Sequence, residues 1–300
     1  MEISSVSDDL TTYLAGARAR VDAALAAWDE WVPSAAIRYS LLGGGKRLRP
    51  TLVFAAYEAA GGPASSPPGV AEIAAAAEVV HAYSLVHDDL PCMDDDDLRR
   101  GRPTTHRAFD VPTATRAGFQ MVALAAAVLA RGMAALELDG ARRRAIALEL
   151  FRAAGAGGMI GGQALDLGAE GTALPVARLQ EIHERKTGAL IAAACVIGGL
   201  AAGAAPALAE ALRSYGARVG LAFQIWDDVL DATATSHALG KTAGKDAARA
   251  KSTFVTVQGV AAARAEAARL ATLAVDHLRE AGLVSPILVE LAHYMVTRPH

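Results

Sequence analysis

The segment HDDLPCMDDDDLRRGRPTTH, residues 87–106, sets six aspartates within ten positions and follows them with Arg99, Arg100 and Arg102. Carboxylates that close repel one another unless a cation sits among them. A second group lies in FQIWDDVLD, residues 223–231. There Gln224, Asp227, Asp228 and Asp231 fall at i, i+3, i+4 and i+7, so on a helix they share one stripe. The other side carries Phe223, Ile225, Trp226, Val229 and Leu230, which predicts burial. A stripe of three carboxylates on a buried helix is costly unless something neutralises it. All-oxygen donors suit a hard cation, magnesium above all, where the metal also holds substrate phosphates. A solvated acidic loop is the plain alternative for the first group. It accounts neither for the apolar helix that ends in Asp88 and Asp89 nor for the arginines that follow.

Basic groups recur in short clusters. Lys46, Arg47 and Arg49 stand in GGGKRLRP (43–50), and Lys186 with Thr187 in RKTG (185–188). Lys241 and Lys245 stand in GKTAGKD (240–246), and Lys251 in AKST (250–253). Each alone reads as a surface or helix-end charge, and GGGKRLRP lacks the spacing of a Walker loop. Together with metal-binding carboxylates they match two polyphosphate substrates. One would be held through metal and the other by direct charge-assisted hydrogen bonds.

The elements that must position these groups read as helices. The 300 residues are 53% hydrophobic and 20% charged, so a large core is available, and a net charge of −3 argues against nucleic acid and anionic membrane surfaces as partners. Two cysteines, Cys92 and Cys195, give no disulfide framework, and the start MEISSVSDDL is not a signal peptide, so a reducing cytoplasm is the default. Residues 189–209 carry no charge over the length of a membrane span. Gly198, Gly199, Gly203 and Pro206 interrupt that run, which predicts a buried helix and a turn, with no membrane span. Helical spacing of apolar residues covers 70–89, 117–137, 141–154, 176–197, 207–231, 252–281 and 285–297. Breaks are expected at 61–69, 155–162, 198–206 and 233–246. The chain therefore reads as one all-α domain, 1–300, of ten or more helices.

In these motifs the chain resembles the trans-isoprenyl diphosphate synthases, or polyprenyl synthetases, and within them the bacterial farnesyl diphosphate pattern. LLGGGKRLRP, HAYSLVHDDLPCMDDDDLRRG, GGQALDL, HERKTGALI, GLAFQIWDDVLD and LGKTAGKD stand in the family's order and at its spacing across nearly the whole chain. The resemblance implies a bundle of mostly antiparallel helices around a deep central cavity, usually as a homodimer. It implies a magnesium-dependent prenyltransferase that joins isopentenyl diphosphate to dimethylallyl or geranyl diphosphate, with a cluster of three Mg2+ between the aspartate motifs. By position, Asp88, Asp89, Asp94, Asp227, Asp228 and Asp231 would ligate metal. Arg99, Lys186, Thr187, Gln224 and Lys241 would serve the allylic diphosphate, and Lys251 would join them. Lys46, Arg49, His81 and Arg100 would hold isopentenyl diphosphate.

In the family, product length is read from the positions four and five before the first aspartate, here Ser84 and Tyr83. At about 1.5 Å per residue Tyr83 lies roughly 7.5 Å down the helix from Asp88, where its ring would stop growth early. The insert LPCM with that tyrosine implies a C15 product, with C20 as the alternative. Two positions depart from the pattern: Phe119 in AGFQM replaces the usual aspartate, and Val255 in AKSTFV replaces a common proline. Three rivals remain: a terpene cyclase, a non-catalytic partner subunit and a plain acidic cation binder. The isopentenyl-side motif speaks against the first, two intact aspartate motifs against the second, and the basic motifs against the third. The role of Gln163 and Asp166 in GGQALDL stays open.

Overall fold

A computed structural model describes residues 7–28, 34–233 and 252–298. Among these residues the chain is all-α apart from one two-stranded hairpin. The helices are α1 (Asp8–Ala26), α2 (Ala35–Leu41), α3 (Leu48–Ala59), α4 (Pro68–Asp88), α5 (Thr105–Ala108), α6 (Val111–Ala135) and α7 (Gly140–Ala154). They continue with α8 (Met159–Gly168), α9 (Val176–His183), α10 (Ala189–Ala202), α11 (Pro206–Thr233), α12 (Phe254–Gln258), α13 (Val260–Glu280) and α14 (Pro286–Met295). A single π-helical turn, Glu184–Gly188, joins α9 to α10.

Local chemistry sets many of the boundaries. Ser7, Ser34, Asp110, Asp139 and Ser285 each accept a backbone N–H of the first turn of the helix that follows. Pro68 and Pro286 occupy the first turns of their helices, where a missing N–H costs nothing. Gly203, at φ +92°, ends α10 in the left-handed conformation. The hairpin pairs Leu98 with Pro103 and Arg99 with Arg102 across Arg100 and Gly101, both at positive φ.

The core is one contiguous cluster from Leu10 to Val296. α4 lies at its centre, buried nearly all round, with α1, α3, α6 and α10 against it. α10 in turn packs between α3, α7 and α11. The expected break at 198–206 falls later than its glycines suggest. Gly198 and Gly199 stay helical because neighbours press on them: a Cβ on Gly198 would lie 2.3 Å from the carbonyl oxygen of Val53. The helix expected over 252–281 is divided at Gly259, φ +84°. Three stretches, Pro68–Asp88, Val111–Ala135 and Val176–Ala202, are long and apolar enough to cross a membrane by composition alone. Inside the protein 83%, 50% and 72% of their apolar windows are buried, so of these three α6 leaves the broadest face uncovered.

Candidate active site

A cavity of about 930 Å3 opens at the carboxyl end of α4. α4 supplies His81, Tyr83, Ser84, His87 and Asp88, and the following loop and hairpin supply Asp94, Arg99 and Arg100. The turn before α3 supplies Lys46 and Arg49, the π turn Lys186 and Thr187, and α11 Gln224, Asp227 and Asp231. The far part is apolar, walled by Phe119 and Val122 of α6, Phe151 of α7, and Met159, Ile160 and Leu167 of α8. The motifs that the sequence spreads over nearly 190 positions thus meet in one chamber.

Its two charged walls differ in sign. On the acidic side Asp88 faces Asp94, while Asp227 and Asp231, one turn apart on α11, also line the chamber. Burial, with Asp94 adding to it and Lys186 only partly offsetting it, raises Asp88 to about 6. Such an acid favours a cation beside it. Among the described residues no three carboxylates, histidines or cysteines yet converge into a closed metal cage. At Asp227 the positive charge comes from Arg298, whose guanidinium donates to that carboxylate and lies 3.9 Å above the Phe223 ring. Arg298 is 2% exposed, and its carbonyl accepts from Trp226 Nε1 at 3.1 Å.

The basic side gathers Lys46, Arg49, Arg100 and His81. Burial lowers Arg49 to about 10, with Glu78 and Asp227 resisting, so it stays charged at neutral pH; its Nε is buried with no hydrogen-bond partner. Burial, then Arg49 and the arginines around it, hold His81 well below the usual histidine range, which leaves it neutral. Arg100 donates to the Gly44 carbonyl. Lys46 is held below its ordinary range by burial and by Arg298, against the pull of Asp227.

Two predicted carboxylates are turned away from the chamber. Asp89 caps α4 at 3% exposure and accepts from Arg99, 3.0 Å at Nε. Asp228, one position on from Asp227 and so rotated about 100° around the helix, accepts from the Phe254 N–H at 2.9 Å and lies 3.3 Å from His183 Nε2. Between the walls, Thr187 Oγ1 donates to Gln224 Oε1 at 2.8 Å. Lys186 Nζ donates to Asp166 Oδ2 at 2.6 Å. Burial opposes its charge, but Asp166, Asp88 and Asp94 outweigh burial and hold the ammonium above the usual lysine range. Lys241 and Lys251 lie outside the described residues.

Tyr83, 7% exposed, stands in the chamber wall with its ring edge-on to His87 at 6.1 Å. Ser84 also lines the chamber, and its Oγ donates to the His81 carbonyl at 2.8 Å. Phe119, in the aspartate's place, packs edge-on to His87 at 5.2 Å. The sequence reading missed Arg298, which no motif marks, and His87, overshadowed by the aspartates it precedes. Of the two α8 residues left open, Asp166 pairs with Lys186 and Gln163 lines the chamber.

A family model described as Polyprenyl synthetase matches residues 30–288. Over 266 residues the chain is 43% identical to the farnesyl diphosphate synthase of Escherichia coli (strain K12), covering 87% of this chain and 88% of that one. It is 41% identical to the large subunit 1 of a chloroplastic heterodimeric geranylgeranyl pyrophosphate synthase of Arabidopsis thaliana, covering 88% and 71%. Among solved structures, the Helicobacter pylori geranyltransferase complexed with magnesium and isoprenyl diphosphate superposes at a TM-score of 0.82 with 32% identity, covering 98% of each chain. With opposed acidic and basic walls at the mouth of an apolar chamber, and with these relatives matched over most of their length, the chain belongs to the polyprenyl synthetase family and is a short-chain prenyltransferase.

Proposed function

We propose that the chamber joins isopentenyl diphosphate to dimethylallyl and then geranyl diphosphate, with farnesyl diphosphate (C15) as the main product. The observation that carries this reading is the division of one chamber into an acidic wall, a basic wall and an apolar tube with Tyr83 in its side. Asp88, Asp94, Asp227 and Asp231, which line the chamber, would hold magnesium as a cluster of three ions. Magnesium held there would offset the charge that builds on the leaving diphosphate. Asp89 and Asp228, also expected as ligands, brace the set instead: one aims Arg99, the other ties α11 to α12 and His183.

Lys186 and Arg99 hold the allylic diphosphate, with Lys241 and Lys251 added from the sequence pattern. Lys46, Arg49, Arg100 and neutral His81 hold isopentenyl diphosphate. When the allylic C–O bond breaks, its electron pair leaves on the diphosphate oxygen. The isopentenyl double bond then forms the new C–C bond, and a proton passes to the released diphosphate. The protein's part is positioning, electrostatics and exclusion of water, and Thr187 and Gln224, hydrogen-bonded to each other in the chamber wall, serve the allylic diphosphate side.

The whole chain acts as one domain, since its core is continuous from Leu10 to Val296. The uncovered face of α6 supports a homodimer. Burial of the other apolar helices and two free cysteines support a cytoplasmic enzyme without a membrane span. Incubation with magnesium, isopentenyl diphosphate and dimethylallyl diphosphate, followed by identification of the dephosphorylated alcohols, tests the reading. Mostly farnesol is expected from the wild type and longer alcohols from Tyr83→Ala. Mostly geranylgeraniol from the wild type would remove Tyr83 as the stop, and no product would leave a partner subunit.

A further inference from the structure

Gln163 is 7% exposed, lines the chamber, and has neither end of its amide hydrogen-bonded among the described residues. Its place is fixed from both sides. The preceding Gly162 presses on the π turn, where a Cβ would lie 2.2 Å from Lys186 N and 2.5 Å from Lys186 Cα. One turn on, Asp166 accepts from Lys186 Nζ at 2.6 Å. Ile160 and Leu167, on the same face of α8 at i−3 and i+4, line the apolar tube. The amide therefore sits at the border between the charged head of the chamber and its apolar part.

A buried polar group with no partner is a standing cost, and native structures rarely carry one without a use for it. An apolar tail offers neither donor nor acceptor. The head of an allylic diphosphate offers both kinds of complement at once: oxygens that accept from Nε2, and allylic carbons that turn positive as the C–O bond breaks. We infer that Gln163 is a further catalytic residue, its Nε2 donating to the departing diphosphate and its Oε1 facing the allylic cation, so that the amide dipole lies along the breaking bond. The inference rests on the condensation proposed above.

In that step both electrons of the C1–O bond leave on the diphosphate oxygen and the positive charge spreads over C1 and C3. No proton moves. A neutral amide suits the task because a carboxylate at the same point would be captured by the cation as an ester. Gln224 is less free to do it, since its Oε1 already accepts from Thr187 at 2.8 Å.

The test compares wild type with Gln163→Leu, both full-length and loaded with magnesium. It measures kcat with geranyl and isopentenyl diphosphates, affinity for non-ionising geranyl thiolodiphosphate by calorimetry, and the thermal midpoint. The expected result is kcat lower by tenfold or more, analogue affinity within about fivefold, and a midpoint unchanged or raised, because a buried orphan has been removed. Unchanged kcat overturns the inference, and so does a midpoint that falls along with kcat, which would make Gln163 structural. If Gln163→Leu fails to fold, Gln163→Met must show the same split, and its failure to fold also overturns the assignment. A wild type without product overturns the condensation reading and this inference with it. An active wild type beside an equally active variant overturns this inference alone.

Discussion

Three basic residues in a row of four, Lys46, Arg47 and Arg49, read alike in the sequence yet take two different jobs. Lys46 and Arg49 line the chamber, whereas Arg47, at φ +50° and 3% exposed, points back into the protein. Its guanidinium donates to Glu78 Oε1 at 2.8 Å, Asp22 Oδ1 at 2.9 Å and the Leu41 carbonyl at 2.6 Å. It thereby ties α1 and α2 to the middle of α4. Glu78 is 2% exposed and needs that charge. Arg47→Met is expected to destabilise the fold by about 3–5 kcal/mol, because the glutamate is left buried and unpaired. The double change Arg47→Met/Glu78→Met should recover most of the loss. Urea unfolding of the three proteins checks this, and a double variant no better than the single one would show that the pair matters in some other way. Nothing in the residue types separates Arg47 from its neighbours; the left-handed backbone just before α3 does.

At the scale of elements, what was legible depended on how the helices are packed. α7 and α11 sit close to their expected limits because a mixed apolar and polar face marks them. α4 was legible as an apolar run ending in aspartates. The first three helices lie outside the stretches of expected helical spacing, and the π turn leaves no mark of its own, since one extra residue in a turn leaves apolar spacing almost untouched. That turn matters here: it presents Lys186 and Thr187 side by side to the chamber. Gly162 is what lets α8 approach it. Gly162→Ala would place a Cβ 2.2 Å from a backbone nitrogen that cannot swing aside. The expected cost is about 1–3 kcal/mol of stability, with activity lower by roughly tenfold as Lys186 shifts. Gly16, on the exposed face of α1 with nothing within 4 Å of its Cβ position, is the control. Gly16→Ala should raise stability by about 0.5–1 kcal/mol and leave activity alone. Paired denaturation and rate measurements decide; equal behaviour of the two variants would mean that α8 does not depend on the close approach.

Over the whole molecule, the aspartates, the basic groups and the tube wall were readable because the motifs carry their own chemistry, whereas the joints between distant segments were not. Arg298 and Asp227 are 71 positions apart, and only the fold brings them together. The same holds for the outer face of α6. Its buried side packs on α4, while Ala123, Ala126, Ala127, Ala130 and Ala134 stay exposed in one stripe. Exposed alanines at i, i+3, i+4 and i+7 let a second helix come close, and an uncovered apolar face of this length calls for a cover. A second copy of the chain would place two α6 stripes face to face about a twofold axis, each also bearing on the helix that carries Phe119 and Val122 of the tube. Sedimentation equilibrium of the wild type should therefore give twice the chain mass. Ala127→Arg, which sets two like charges against each other across that axis, should give the single-chain mass without loss of helical content. A wild type that sediments as one chain, or an Ala127→Arg protein that still pairs, would move the contact away from α6.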